Sequence, residues 1–156
     1  MNETVLRQMR ESDLPALFEI QCDAEAQVMA AFTSTANDRQ AYLDKHRKLL
    51  ADDRIVQVVV EADGEIVGSA AAFPLGEEID VTYWIRRDHW GRGLAGAALA
   101  AVLEQVPVRP VFASAASDNL ASQRVLERAG FRQVGRQRGF AEARGQEIEE
   151  VMFRLD

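Results

Sequence analysis

The chain has 156 residues, of which 47% are hydrophobic and 28% charged; this is the composition of a folded globular domain and excludes a disordered, collagen-like or fibrous chain. A chain this long can bury roughly 70% of the surface its unfolded form exposes, so it needs no disulfide or metal staple. A net charge of -7 runs against a nucleic-acid-coating protein, whose affinity comes from neutralising phosphates, and no nucleic-acid partner is expected.

Thr4 to Met9 reads as a short strand. Ser12-Asp13-Leu14-Pro15 reads as a helix start, with a capping side chain and a proline in the first turn, and the helix is expected from Asp13 to Asp23. Ala24 to Ala36 is apolar but rich in small residues and stays unassigned, with a loop expected from Thr33 to Asn37. Tyr42, Leu43, His46, Leu49 and Leu50 recur at helical spacing and predict a helix over 38–51, in which His46 packs. Strands follow at 54–62 and 65–73, joined by the hairpin signal Asp63-Gly64. Pro74 to Gly76 reads as a turn before an alternating strand, Glu78 to Arg86, so three antiparallel strands form a meander. The polar turn Asp88-His89-Trp90 leaves His89 exposed.

A helix is predicted from Leu94 to Val106, its alanines allowing close packing on a sheet; Pro107 and Pro110 end it, and a strand follows at 111–115. Ser117-Asp118 can cap a last helix, whose Val125, Leu126 and Ala129 share a face and whose Gly130 sits where a left-handed C-terminal cap belongs. Residues 131–140 and 146–155 close the chain as a hairpin. One α/β domain over 1–156 is expected, with about seven strands in a mixed, mostly antiparallel sheet and about four helices. Cys22, the only cysteine, lies beside acids, which disfavours a thiolate and favours packing. No signal-peptide core precedes Arg10 and no apolar run approaches the ~20 residues of a membrane span, so a cytoplasmic, membrane-free protein is expected.

Gly91, Gly93 and Gly96 lie within six residues at a strand-to-helix junction, with Arg86, Arg87 and Arg92 around them. Unobstructed backbone N–H groups at a helix N-terminus suit a pyrophosphate; the competing reading is that the glycines serve close helix-to-sheet packing. The spacing also matches the dinucleotide fingerprint formally, with Asp118 at a ribose-binding distance in sequence, but a meander precedes the loop and only one further helix follows it.

Trp90-Gly91-Arg92-Gly93-Leu94-Ala95 resembles the acetyl-CoA pyrophosphate loop of the GNAT N-acetyltransferase superfamily, Gln/Arg-x-x-Gly-x-Gly/Ala, with Trp90 departing at the first position. Such a tryptophan after Tyr83-Trp84-Ile85 is similar to the branch containing the ribosomal-protein N-terminal acetyltransferases. Asn119-x-x-Ser122, followed by Val125-Leu126 and Gly130-Phe131, resembles the family's motif after its fifth strand. The resemblance covers nearly the whole chain. It implies a sheet splayed between the fourth and fifth strands and acetyl-CoA as acyl donor. It implies a pantetheine arm bordered by Trp84, Ile85 and Arg86, phosphates held at Arg87 and Gly91 to Gly96, and Asn119 and Ser122 beside the cofactor. No metal is expected.

Acetyl transfer to a primary amine, on a small molecule or a protein N-terminus, requires a base. By strand alternation Glu78, Asp80, Thr82 and Trp84 share one face, and Asp80, between Ile79 and Val81, is the leading candidate base with Glu78 behind it; solvation or pairing with an arginine is the bland alternative. Many family members carry a tyrosine acid where this chain has Leu126. Ser122 is the candidate substitute donor, and Tyr83 is a further hydroxyl on the strand face away from Asp80. Loss of that tyrosine keeps a second class open, a catalytically weak acyl-CoA-binding or sensor domain. Residues 1–80 carry 16 acids against 7 bases and residues 81–156 carry 9 against 11, a division that suits a cationic amine meeting the first half and phosphates the second. A homodimer stays open.

Overall fold

The computed structural model describes residues 3–33 and 37–156. The elements are β1 (Thr4–Gln8), α1 (Leu14–Gln21), α2 (Ala24–Ala30), α3 (Arg39–Leu50), β2 (Val56–Ala62), β3 (Glu65–Leu75), β4 (Glu78–Ile85), α4 (Leu94–Glu104), β5 (Val111–Ala116), α5 (Leu120–Arg128), β6 (Arg132–Ala141) and β7 (Gln146–Leu155), with short 3-10 turns at Glu11–Asp13 and Arg87–His89. The seven strands form one sheet in the order β1-β2-β3-β4-β5-β7-β6, in which only β4 and β5 run parallel.

Among the described residues five α-helices stand where about four were expected. The additional one, α2, lacks an apolar stripe, but the Asp23 side chain accepts the Glu25 N–H at 3.1 Å and starts it. The loop expected from Thr33 to Asn37 falls mostly on residues 34–36, outside the described residues. α1 begins at Leu14, not Asp13, and Ser12 does not cap it. Asp13 is instead buried, bonded by both guanidinium nitrogens of Arg7 at 2.8 and 2.9 Å and by the Arg10 N–H at 2.7 Å.

Asp63 and Gly64, both at positive φ, make the expected β2–β3 hairpin. The turn expected over Pro74 to Gly76 is shorter, because Pro74 and Leu75 still pair with Ile79 and Glu78. Pro74 fits there because its nitrogen faces away from β4, and β2 has already ended on that side at Val56, so no ladder bond is lost.

The sheet lies between two helical layers. Leu94, Ala98, Leu99 and Val102 of α4 pack on Val58, Val60, Val81, Ile85 and Val111, while α1 and α3 pack Leu14, Leu17, Ile20 and Leu43 on Val59 from the other side. Coverage of both faces explains why three consecutive residues of β2, Val58, Val59 and Val60, are all buried. Each fully buried Leu or Val of this sandwich contributes ~1.5–3 kcal/mol. α5 is capped by Asn119, whose side chain accepts the Ser122 N–H at 3.2 Å, rather than by Ser117 or Asp118. It ends as expected at Gly130, where the N–H groups of Gly130 and Phe131 donate to Glu127 and Leu126.

The pairing that matters for the site is the shortest. β4 and β5 meet only at Ile79–Val111 and Asp80–Phe112, after which β5 pairs with β7 and β4 with β3 alone. A wedge therefore opens beside Val81 to Ile85.

Candidate active site

The chain leaves β4 through the Arg87–His89 turn and reaches α4 through Trp90-Gly91-Arg92-Gly93. Gly93, at φ 75°, is the helix N-cap and offers no side-chain cap. The first intrahelical bond is Ala97 N–H to the Gly93 carbonyl at 3.2 Å, so the N–H groups of Leu94, Ala95 and Gly96 precede it without intrahelical partners. A Cβ built on Gly91, Gly93 or Gly96 meets nothing within 4 Å, so the space over the loop is open, and the packing explanation of these glycines does not hold. Donors, helix dipole and space together suit a phosphate-like anion.

The loop arginines are less available than their number implies. Arg86 is bonded to Asp88 at 2.7 Å and Glu65 at 3.4 Å, and Arg87 is held by Asp23 at 3.0 Å and by Glu25. Arg92 pairs with no carboxylate among the described residues. His89, expected in solvent, has a side chain only 13% exposed, with Nδ1 2.9 Å from Asp88. Trp90 explains its own departure from the motif: its indole N–H donates to the Ile85 carbonyl at 2.7 Å and braces the loop on the end of β4.

The direction of the β4 amides follows from one bond. The Arg86 N–H donates to Val67 at 2.7 Å, which makes Gly68–Ile85 a non-hydrogen-bonded pair, so the N–H and carbonyl of Ile85, and of Tyr83 two residues earlier, point away from β3 into the wedge. Gly68 is required at that pairing, since a Cβ there would lie 2.5 Å from the Trp84 carbonyl.

Across the wedge, the Tyr83 hydroxyl lies 2.6 Å from Ser122 Oγ and 3.1 Å from the Ser122 carbonyl, joining β4 to the first turn of α5. Burial pushes the Tyr83 phenol above its ordinary value, and the Ser122 bond opposes the rise. Leu126, one turn further along α5, is 0% exposed and belongs to the core, so no polar group faces the wedge from that position. Besides capping α5, Asn119 donates to the Met29 carbonyl at 3.3 Å, tying α5 to α2.

Asp80 stands where β4 and β5 part, on the other face of the sheet. Its cross-strand neighbours on that face are Phe73 of β3 and Phe112 of β5. Among the described residues its buried Oδ1 has no hydrogen-bond partner, and burial, followed by repulsion from Glu78, lifts its pKa from 3.8 to about 6. Glu78 is exposed. Further along the same face Thr82 is exposed, and the buried Trp84 Nε1 also lacks a partner among the described residues. A carboxylate poised near neutrality beside an opening is suited to take a proton from an ammonium group.

Other polar groups are structural. Asp118, matched to a ribose by the dinucleotide fingerprint, is instead bonded by Arg144 at 2.6 and 2.9 Å; Arg144 also donates to the Val28 carbonyl and so fastens the β6–β7 turn to α2. His46 stacks on Tyr42 with ring centroids 4.0 Å apart, and burial, with help from Lys45, lowers its pKa to about 4. Burial, then Glu19, pushes the Cys22 thiol up, away from a reactive thiolate. Among the described residues no three His, Cys, Asp or Glu side chains gather as a metal site, and no helix is long and apolar enough to cross a membrane.

The profile of the acetyltransferase (GNAT) domain family matches residues 3–132. The chain belongs to the GNAT acetyltransferases. Solved GNAT structures agree in fold. A ribosomal-protein-alanine N-acetyltransferase from Brucella melitensis superimposes with a TM-score of 0.82 at 22% identity, over 96% of this chain and 98% of that one. A phosphinothricin acetyltransferase from Sinorhizobium meliloti, solved with acetyl-CoA, gives 0.84 at 16% identity over 97% and 86%. RimJ from Mycobacterium smegmatis, solved with a CoA disulfide, gives 0.76 at 21% over 97% and 81%. No curated protein matches the sequence.

Proposed function

We propose that this GNAT protein transfers the acetyl group of acetyl-CoA to a primary amine by direct attack on the thioester. The observation that carries this reading is the wedge between β4 and β5, with open backbone donors at Leu94 to Gly96 near one end and Asp80, with its pKa raised to about 6, at its apex. The fit to the acyl donor rests on those unpaired donors, on the space over Gly91 and Gly93, and on Arg92. When bound, acetyl-CoA supplies an activated acyl group and a thiolate leaving group.

In this reading the loop holds the phosphates, and the wedge-facing amides of Tyr83 and Ile85 hold the pantetheine arm. The Ile85 N–H is the donor for the thioester oxygen as charge grows on it. Trp90, through the Ile85 carbonyl, braces the peptide that follows this N–H and so the end of β4. Asp80 lies five residues from Ile85, about 16 Å of extended strand, so it takes a proton from the ammonium group through water and leaves the neutral amine that attacks, while Ser122 faces the departing sulfur. The carboxylates of Asp80 and Glu78 favour a cationic acceptor.

Acetyl-CoA offered with a panel of primary amines, with thiol release and product mass both followed, tests the reading. Acetylated amine formed in step with released thiol supports it. Tight CoA binding with no turnover on any amine would instead favour an acyl-CoA sensor, the class that Leu126 keeps in play.

A further inference from the structure

The hydroxyl pair across the wedge has two ways of satisfying its protons. In a closed arrangement Ser122 Oγ–H donates to Tyr83 Oη over 2.6 Å, and the Tyr83 O–H donates to the Ser122 carbonyl over 3.1 Å. In an open arrangement the Tyr83 O–H donates to Ser122 Oγ, and the serine proton is released toward whatever occupies the space beside it. Both arrangements leave every proton bonded once a ligand is present, so the change between them needs only a rotation of each hydroxyl.

We propose that Tyr83 is a positioning residue of acetyl transfer, which by donating to Ser122 Oγ turns the serine proton onto the departing sulfur. This rests on the acetyl-transfer reading and assigns to a strand residue a task for which α5 has only the buried Leu126. The chain has two tyrosines, and the other, Tyr42, stacks on His46 in the α1–α3 layer.

The pair does not protonate the sulfur. Burial raises the Tyr83 phenol above its ordinary value, which disfavours surrender of its proton to a thiolate. Atoms and electrons balance without it. One proton of the ammonium group passes to Asp80 and on to water, the neutral amine nitrogen bonds to the thioester carbon, the C–S bond breaks with its electron pair on sulfur, and the second nitrogen proton leaves for water as the amide forms. The thiolate leaves hydrogen-bonded to Ser122 and takes its proton from solvent. A hydrogen bond to a charged acceptor is among the stronger ones, and its loss lowers turnover by roughly 10- to 100-fold.

The test compares wild type, Tyr83→Phe, Ser122→Ala and the double variant by two measurements. The first needs no acceptor: the thiol of bound CoA is titrated by the ultraviolet absorbance of its thiolate. The proposal expects wild type to lower the thiol pKa by about one unit from the free value, a tenfold shift, and both single variants to return it toward that value. The second is turnover, where kcat should fall about 10- to 100-fold in each single variant, with KM for acetyl-CoA within about twofold and the double variant no worse than Ser122→Ala. Losses that multiply in the double variant, or a thiol pKa in Tyr83→Phe equal to that of wild type, would overturn the proposal. Absence of CoA binding by wild type would overturn the parent reading as well, whereas bound CoA with an unshifted thiol overturns the Tyr83 role alone.

Discussion

Replacing Asp80 by asparagine should make the protein gain stability relative to wild type as pH rises from acid to mild alkali. In the folded chain the Asp80 carboxyl is raised from 3.8 to about 6, so folding favours its neutral form. The raised value makes this group's contribution to stability complete below the unfolded pKa and lost as pH climbs through about 6. The ceiling of the loss is about 3 kcal/mol, and because the side chain is only half-buried, screening reduces the expected figure to ~1–2 kcal/mol. Asparagine carries no charge to lose. Its buried amide has its own cost, but that cost is the same at every pH, so the difference between the two conditions isolates the carboxylate. Thermal unfolding of both proteins at about pH 4.5 and about pH 8 should show the Asp80→Asn variant gaining ~3–6 °C on wild type between the two. A gap that stays constant with pH would refute the desolvation of Asp80 and remove the physical ground for treating it as the base. The same variant should lose ~10²–10⁴-fold in kcat/KM at pH values between about 6 and the pKa of the amine, where the carboxylate is ionised and the acceptor is not yet free base.

Gly93→Val should fold yet bind CoA at least about tenfold more weakly, because a β-branched residue at φ 75° costs ~1–3 kcal/mol and re-aims the three open N–H groups; calorimetry of the two proteins reads this directly. Arg92→Gln should weaken CoA binding by about 3- to 10-fold and reduce its salt dependence, both measurable by titration at two ionic strengths, since this arginine has no carboxylate partner among the described residues. Leu126→Tyr should destabilise the fold by ~1–3 kcal/mol in urea without raising turnover, because position 126 is 0% exposed and overpacks rather than reaching the wedge.

What could be read from the residues was what repeats locally. The alternation of Ile79, Val81, Tyr83 and Ile85 assigned the faces of β4 correctly, and Gly130 marked the end of α5, but its cap, read as Ser117-Asp118, is Asn119. α2 escaped because Ala-Glu-Ala-Gln-Val-Met-Ala has no stripe; its start depends on a single Asp23 bond. The chemistry of the site is mostly non-local. Asp80 owes its raised pKa to burial on a face it shares with Phe73 and Phe112, which are brought beside it only by strand register. Tyr83 meets Ser122 across 39 positions of sequence. Likewise, the arginines near the glycine loop read as charge for a phosphate, yet Arg86 and Arg87 are engaged by Glu65, Asp88, Asp23 and Glu25. The charge asymmetry of the two halves thus acts partly within the molecule, as acids of the first half clamp bases of the second.

In the proposed function the wedge joins an acetyl donor to an amine under the control of Asp80. The most direct measurement is the rate of amine acetylation by wild type, Gly93→Val and Asp80→Asn, taken together with the CoA affinity of each. Wild type should form acetylated amine, Gly93→Val should show a defect that saturating acetyl-CoA relieves, and Asp80→Asn a defect that it does not. Normal acetylation by Asp80→Asn across the whole pH range, or no acetylation of any primary amine by wild type with acetyl-CoA bound, would contradict that function.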